Sequence, residues 1–154
     1  MKKIFFSIAL VSATVAFAQK KEIAAAVKAI DAGDVAATNS QIAAAEAVMG
    51  GKTYLVEPAV LEQYYYAKGL ALLKSGKNAE GAAYLAKMSE LGKEKIYTGK
   101  DSSKTKVYYV GKAAADQSGI QGLKEDTYVP VLTSRIGNTI NPLIEAANKT
   151  AMNA

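Results

Sequence analysis

Cysteine, histidine and tryptophan are all missing from these 154 residues, and proline occurs only three times. Without cysteine there is no disulfide framework and no thiol nucleophile. The lipoprotein route, in which a cysteine at the cleavage site carries the lipid, is closed as well. Losing histidine together with cysteine removes most zinc sites, Cys–His pairs and Ser–His triads at once. Past residue 18 no apolar run approaches the ~20 residues that a membrane-spanning helix needs.

The first 18 residues are the exception to that polarity. Met1-Lys2-Lys3 gives a short positive start, Ile4 to Ala18 carries no charge, and Ala16-Phe17-Ala18 ends the run with small residues at the −3 and −1 positions. Basic start, apolar stretch and small-residue cleavage site form the pattern of a secretory signal peptide. The expectation is export, with cleavage near Ala18-Gln19 and a soluble product in the periplasm or outside the cell. An uncleaved N-terminal anchor is the alternative, against which the short apolar run argues.

The formal charge is +5 at pH 7, and Lys2 and Lys3 leave with the leader. What remains is too mildly basic to read as a nucleic-acid binder. Alanine is abundant, which suits closely packed helices.

Helical spacing divides the rest. Ile23, Val27 and Ile30 mark a first helix over 20–31, and Gly33 with Asp34 supplies a left-handed turn and an N-cap for a second, over 35–49. Gly50-Gly51 ends that helix. Pro58 suits the first turn of a third, running to Lys74 with Leu61, Tyr65, Leu72 and Leu73 for burial. Gly76 stops it, and Asn78 is the expected cap of a fourth helix, whose apolar face is Tyr84, Leu85, Met88 and Leu91. Two tandem helical hairpins result, and one alone could not bury its own face.

The second hairpin resembles a tetratricopeptide repeat. Tyr65 stands four residues before Gly69, followed by Leu72 and the turn glycine Gly76; Gly81 and Leu85 take the small and large positions of the next helix. Lys68, where leucine is usual, and Met88, where a small residue is usual, depart from the pattern. The first hairpin matches only at Gly33, which lies 43 residues from Gly76 against the ~34 of a strict repeat. It reads as a degenerate, capping-type unit. The resemblance implies a mainly all-α, solenoid-like stack of antiparallel hairpins over 19–92, acting as a non-catalytic scaffold for another protein or a peptide. Gly69 and Gly81 each cost a helix interior up to about 1 kcal/mol against alanine, and close approach of two helix backbones is the simplest compensation.

Residues 93–130 change character. Ile96-Tyr97 and Val107-Tyr108-Tyr109-Val110 are β-prone runs around the turn-rich Gly99-Lys100-Asp101-Ser102-Ser103, so a small β-hairpin or irregular insertion is expected near 95–112. Six lysines against Glu94 and Asp101 between 93 and 112 read as a solvated loop, with a patch for an acidic partner as the functional alternative. Residues 113–130 read as irregular because of Gly119 and Gly122. Leu132, Ile136 and Ile140, then Leu143 to Met152 beyond Asn141-Pro142, give a helical segment over 131–154. Two readings of it stay open: the start of a further repeat in a longer protein from which this chain is truncated, or a capping helix on the second hairpin.

No chemistry is built on this frame. Gly51-Lys52-Thr53 ends like a phosphate loop, but Glu46 occupies the position of the first glycine and a helix precedes it. Ser103 and Lys106 are three apart without the accompanying motifs of a Ser–Lys enzyme. No enzyme activity, cofactor or metal is expected. Tyr64-Tyr65-Tyr66 is the most unusual local feature. Successive helical residues point about 100° apart, so Tyr65 is expected in the core by its repeat position. Tyr64 or Tyr66 is then the candidate partner-binding residue, with packing between hairpins as the plainer role. A ligand-binding protein or enzyme with its site in the 93–130 insertion is the alternative function.

Overall fold

The computed structural model describes residues 19–132 and, beyond them, positions 145, 149 and 152. The expected leader and nearly all of the expected C-terminal helical segment lie outside the described residues.

Residues 19–31 form α1. Gly33, at φ +80°, turns the chain, with the Asp34 amide donating to the Ala29 carbonyl and the Gly33 amide to that of Ile30. This double bond pattern is a Schellman motif. The Asp34 carboxylate then accepts the Ala37 amide at 3.0 Å and starts α2 (Val35–Met49). A left-handed Gly50 ends α2, a single 3-10 turn follows at Thr53–Leu55, and Pro58 opens α3 (Pro58–Lys74). The turn after α3 repeats the first: Gly76 at φ +81°, Lys77 amide to Leu72 carbonyl, Gly76 amide to Leu73 carbonyl. Helix α4 is Asn78–Glu90. Asn78 is its first helical residue rather than its cap; Lys77 holds the cap position and makes no side-chain capping bond.

A three-stranded antiparallel sheet follows, in the order β2-β1-β3, built from β1 (Ile96–Lys100), β2 (Lys106–Val110) and β3 (Lys124–Asp126). The β1–β2 turn is tied by Asp101, whose Oδ1 accepts the amides of Ser103 and Thr105, each at 2.9 Å. Gly99 and Lys100 therefore belong to the strand, not to the turn. The expectation of an irregular 113–130 is corrected here. Lys112–Ser118 is a short helix, α5, and Lys124–Asp126 completes the sheet. The two glycines behind the irregular reading stand just outside these elements, Gly119 as the left-handed cap of α5 and Gly122 as a turn residue at φ +74°.

The described residues thus form a mainly helical protein with a small antiparallel sheet. One core joins the two parts. Ile23, Ile42, Leu61, Leu85, Met88 and Ile96 share it, with Tyr108 and Val110 packed against its margin. Helix α3 is the hub. Val60, Leu61, Glu62, Tyr64, Tyr65, Tyr66, Ala67, Gly69 and Ala71 are all buried, which wraps burial around the whole first half of the helix. A helix buried on every side belongs to an interior, not to an amphipathic surface layer.

Candidate binding cleft

Three tyrosines of α3 point three ways, though the Tyr64 and Tyr65 rings both reach Tyr84 of α4, at 6.1 and 6.2 Å. The Tyr64 hydroxyl donates to Glu46 of α2 at 2.6 Å, and the Tyr66 hydroxyl to Asp31 of α1 at 2.5 Å. Tyr65 turns toward α4, where its ring lies 6.2 Å from that of Tyr84. Tyr64 and Tyr66 are only 5 % and 4 % exposed. Of the two roles open to them, the structure places both in packing between helices, so neither ring is presented to a partner. Their hydroxyls end on carboxylates, which is how a buried phenol is satisfied.

Lys68 explains one departure from the repeat pattern. Its ammonium pairs with the same Glu46 oxygen that accepts from Tyr64, and it lies 4.7 Å from the centre of the Tyr84 ring. Burial alone would lower its pKa. Hydrogen bonds to Glu46 and Tyr84 outweigh that and hold it above the ordinary lysine value. A leucine at this position could not tie α3 to α2 in this way. Burial, the bond to Glu46 and its charge, and the nearby Tyr84 push the Tyr64 phenol well above its usual range. Tyr65 is pushed up to about 12, by burial first and then by Tyr84 and Glu90.

The other positions of the repeat signature are structural. At Gly69 an added Cβ would come within 2.8 Å of the Leu85 side chain, and at Gly81 within 2.8 Å of the Gly69 carbonyl oxygen. Helices α3 and α4 therefore cross backbone to backbone at these two glycines. Leu85 fills the contact and is fully buried, Leu72 is half-buried, and Gly76 makes the turn.

A concavity among the described residues lies where the helices meet the sheet. It is a cleft of about 480 Å³, within the ~300–1,000 Å³ usual for ligand pockets. Thr53 and Tyr54 of the 3-10 turn form one wall, and Leu61 and Tyr65 of α3 the base. Tyr108, Tyr109 and Val110 of β2 face them, and Ala114, Gln117 and Ser118 of α5 close the end. Tyr54 and Tyr109 stack with centroids 5.6 Å apart and planes 14° from parallel. Burial, with a contribution from Glu57, raises the Tyr108 phenol above its ordinary value, so it remains a hydrogen-bond donor at neutral pH. A smaller cleft of about 270 Å³ shares Tyr108 and carries Lys20, Glu57 and Lys106 in its lining.

The larger cleft has four tyrosines and not one charged side chain. Its rings offer apolar area and its hydroxyls and the Gln117 amide offer hydrogen bonds, an assembly suited to holding a ligand. Sequence reasoning took Tyr65 from this set for the core but missed Tyr54, Tyr108 and Tyr109 as a group. No local signal could have grouped them, because successive strand residues such as Tyr108 and Tyr109 face opposite sides of a sheet and Tyr54 lies some fifty residues away. Among the described residues no cluster of metal-ligating side chains occurs, and no helix is long and apolar enough to cross a membrane. Comparison with known proteins finds no family model, no curated protein and no solved structure that matches the chain.

Proposed function

We propose that this protein is an exported, non-catalytic binding module that captures a segment of another protein, or a peptide, in the tyrosine-walled cleft. The observation that carries the reading is the cleft's lining: four tyrosines and no charged group, at the junction of two structural layers. The uncharged apolar run before Ala18 supports action in the cell envelope or outside the cell. We read the α1–α2 and α3–α4 hairpins as units of a tetratricopeptide-type solenoid. The shared Schellman turns at Gly33 and Gly76 and the close crossing at Gly69 and Gly81 support this.

Selection of a random displayed peptide library on the purified protein tests the function. Enriched peptides are expected to bind wild-type protein, and Tyr109→Ala should weaken them about tenfold, the worth of one well-packed aromatic contact. Absence of enrichment, or enriched peptides indifferent to Tyr109→Ala, would rule the cleft out as a peptide site. A second reading, a small-ligand site in the 93–130 insertion, has one observation in its favour. Strand β2 and helix α5 supply six of the ten lining residues. A small-molecule screen that shifts the resonances of 108–118 where no peptide does so would favour it.

A further inference from the structure

We infer that the segment held in this cleft is proline-rich and lies in the polyproline II conformation. The inference rests on the peptide-site reading above and names the class of peptide. Its first support is a division among the tyrosines. Tyr64, Tyr66 and Tyr128 each donate to a carboxylate, of Glu46, Asp31 and Glu62 respectively. The hydroxyls of Tyr54, Tyr108 and Tyr109 make no hydrogen bond to another described residue. The phenols with structural work have their acceptors; the phenols of the cleft keep a donor unspent.

The second support is what the lining lacks. It has hydroxyl donors in Thr53 and the tyrosines, with that of Ser118 already given to the Ala115 carbonyl, but no carboxylate to accept from a ligand. A ligand rich in N–H or O–H groups would have only neutral hydroxyl oxygens and the Gln117 side-chain carbonyl to accept from it, weaker acceptors than a carboxylate. That disfavours an ordinary extended peptide and a polyol alike. A polyproline II segment has the opposite character. Its prolines have no N–H, and its carbonyls have no internal partners, so it is an acceptor-only backbone. The phenols can supply what those carbonyls need.

Shape and charge agree with this. Pyrrolidine rings pack on aromatic rings, and aromatic-lined grooves are the usual seats of such helices. The ligand arrives already ordered, so little conformational entropy is lost. An uncharged lining selects a segment whose central residues are uncharged.

The test uses a fluorescein-labelled oligoproline, a Gly-Ser peptide of equal length and a neutral maltooligosaccharide, with anisotropy for the peptides and calorimetry for the sugar. Saturable oligoproline binding is expected, about tenfold tighter than Gly-Ser, with backbone resonance shifts confined to 53–54, 61–65, 108–110 and 114–118 of the wild-type protein. Tyr109→Ala should weaken it about tenfold, and Tyr108→Phe, which removes one donor and keeps the ring, about threefold to tenfold. If an alanine variant does not fold, the wild-type shift map and the phenylalanine variant carry the test. Equal binding of oligoproline and Gly-Ser, or no saturable oligoproline binding, overturns the inference. Library peptides that still bind through Tyr109 would in that case leave the peptide site standing. Binding of the sugar alone would remove both.

Discussion

Glu62, in the middle of the most buried helix, accepts the hydroxyl of Tyr128 at 3.0 Å across 66 residues of chain. The same Oε1 also accepts the amides of Val131 and Leu132, at 3.1 and 3.3 Å. Its other oxygen is buried and has no hydrogen-bond partner among the described residues. One carboxylate oxygen thus fastens residues 128–132, which follow β3, onto α3. Burial and this bond raise the Tyr128 phenol well above its ordinary value.

Replacing Glu62 tests the fastening. Glu62→Ala strands three donors at once and should cost about 3 kcal/mol in urea unfolding, with the Val131 and Leu132 amides exchanging faster. Glu62→Gln keeps an acceptor at Oε1 and removes the charge, and its cost should stay within about 1 kcal/mol. A glutamine variant as unstable as the alanine variant would mean that the charge, not the acceptor, holds the segment.

The crossing of α3 and α4 gives a graded pair. A methyl at Gly81 meets the Gly69 carbonyl oxygen and the Leu73 backbone, which cannot move alone, whereas a methyl at Gly69 meets the Leu85 side chain first. Overpacking of this kind costs about 1–3 kcal/mol, offset by up to about 1 kcal/mol of helix propensity. Gly81→Ala should therefore lower the unfolding free energy by about 1–2 kcal/mol, and Gly69→Ala by less. The reverse order in chemical denaturation would place the close contact elsewhere.

These two features also mark what the sequence made legible. The hairpins were readable because their punctuation is local: Gly33, Asp34, Gly50, Pro58 and Gly76 act on the residues beside them. The glycine pair at 69 and 81 was readable because an unfavourable residue inside a helix asks for a reason. Glu62 was not, since its three donors lie some seventy residues away and nothing nearby sets it apart from an exposed glutamate. Tyr64 and Tyr66 were ambiguous for a related reason. A helical pattern is read as one buried face, and α3 is buried on all of them. Helix α5 was hidden by its length, only seven residues between Gly111 and Gly119, too short for periodicity to register. The cleft needed β2, α5 and the 3-10 turn brought together, which no local pattern encodes.

Alkali should unfold the protein through its phenols. An ionisable acid whose pKa is raised on folding keeps its proton in the native state after the unfolded chain has lost it. The stabilisation is complete below the unfolded tyrosine value of 10.0 and is lost as pH rises from there toward the folded value of about 12 at Tyr65. Tyr64, Tyr108 and Tyr128 shift in the same direction. Phenolate absorbance should therefore include a late stage, in which Tyr64, Tyr65 and Tyr128 ionise only as helical circular dichroism collapses. A single smooth titration with the helix signal intact would contradict the burial of these hydroxyls.

The shared oxygen of Glu46 sets the last expectation. It accepts the Tyr64 hydroxyl and pairs with Lys68, joining α2 to α3. Glu46→Ala removes the acceptor of a buried hydroxyl and the counter-charge of a lysine that is only 20 % exposed. A loss of about 2–3 kcal/mol is expected. Lys68→Leu removes the ammonium and leaves the Tyr64 bond in place. Its cost should be under about 1 kcal/mol, because the carboxylate, 37 % exposed, can turn to water. Tyr64→Phe removes the hydroxyl and keeps the ring, at about 1 kcal/mol. The three belong to one network, so the Glu46→Ala/Tyr64→Phe double variant should be less destabilised than the sum of its singles by about 1 kcal/mol. Strict additivity in urea melts would show that Tyr64 and Glu46 act independently and that α2 is held to α3 by apolar packing alone.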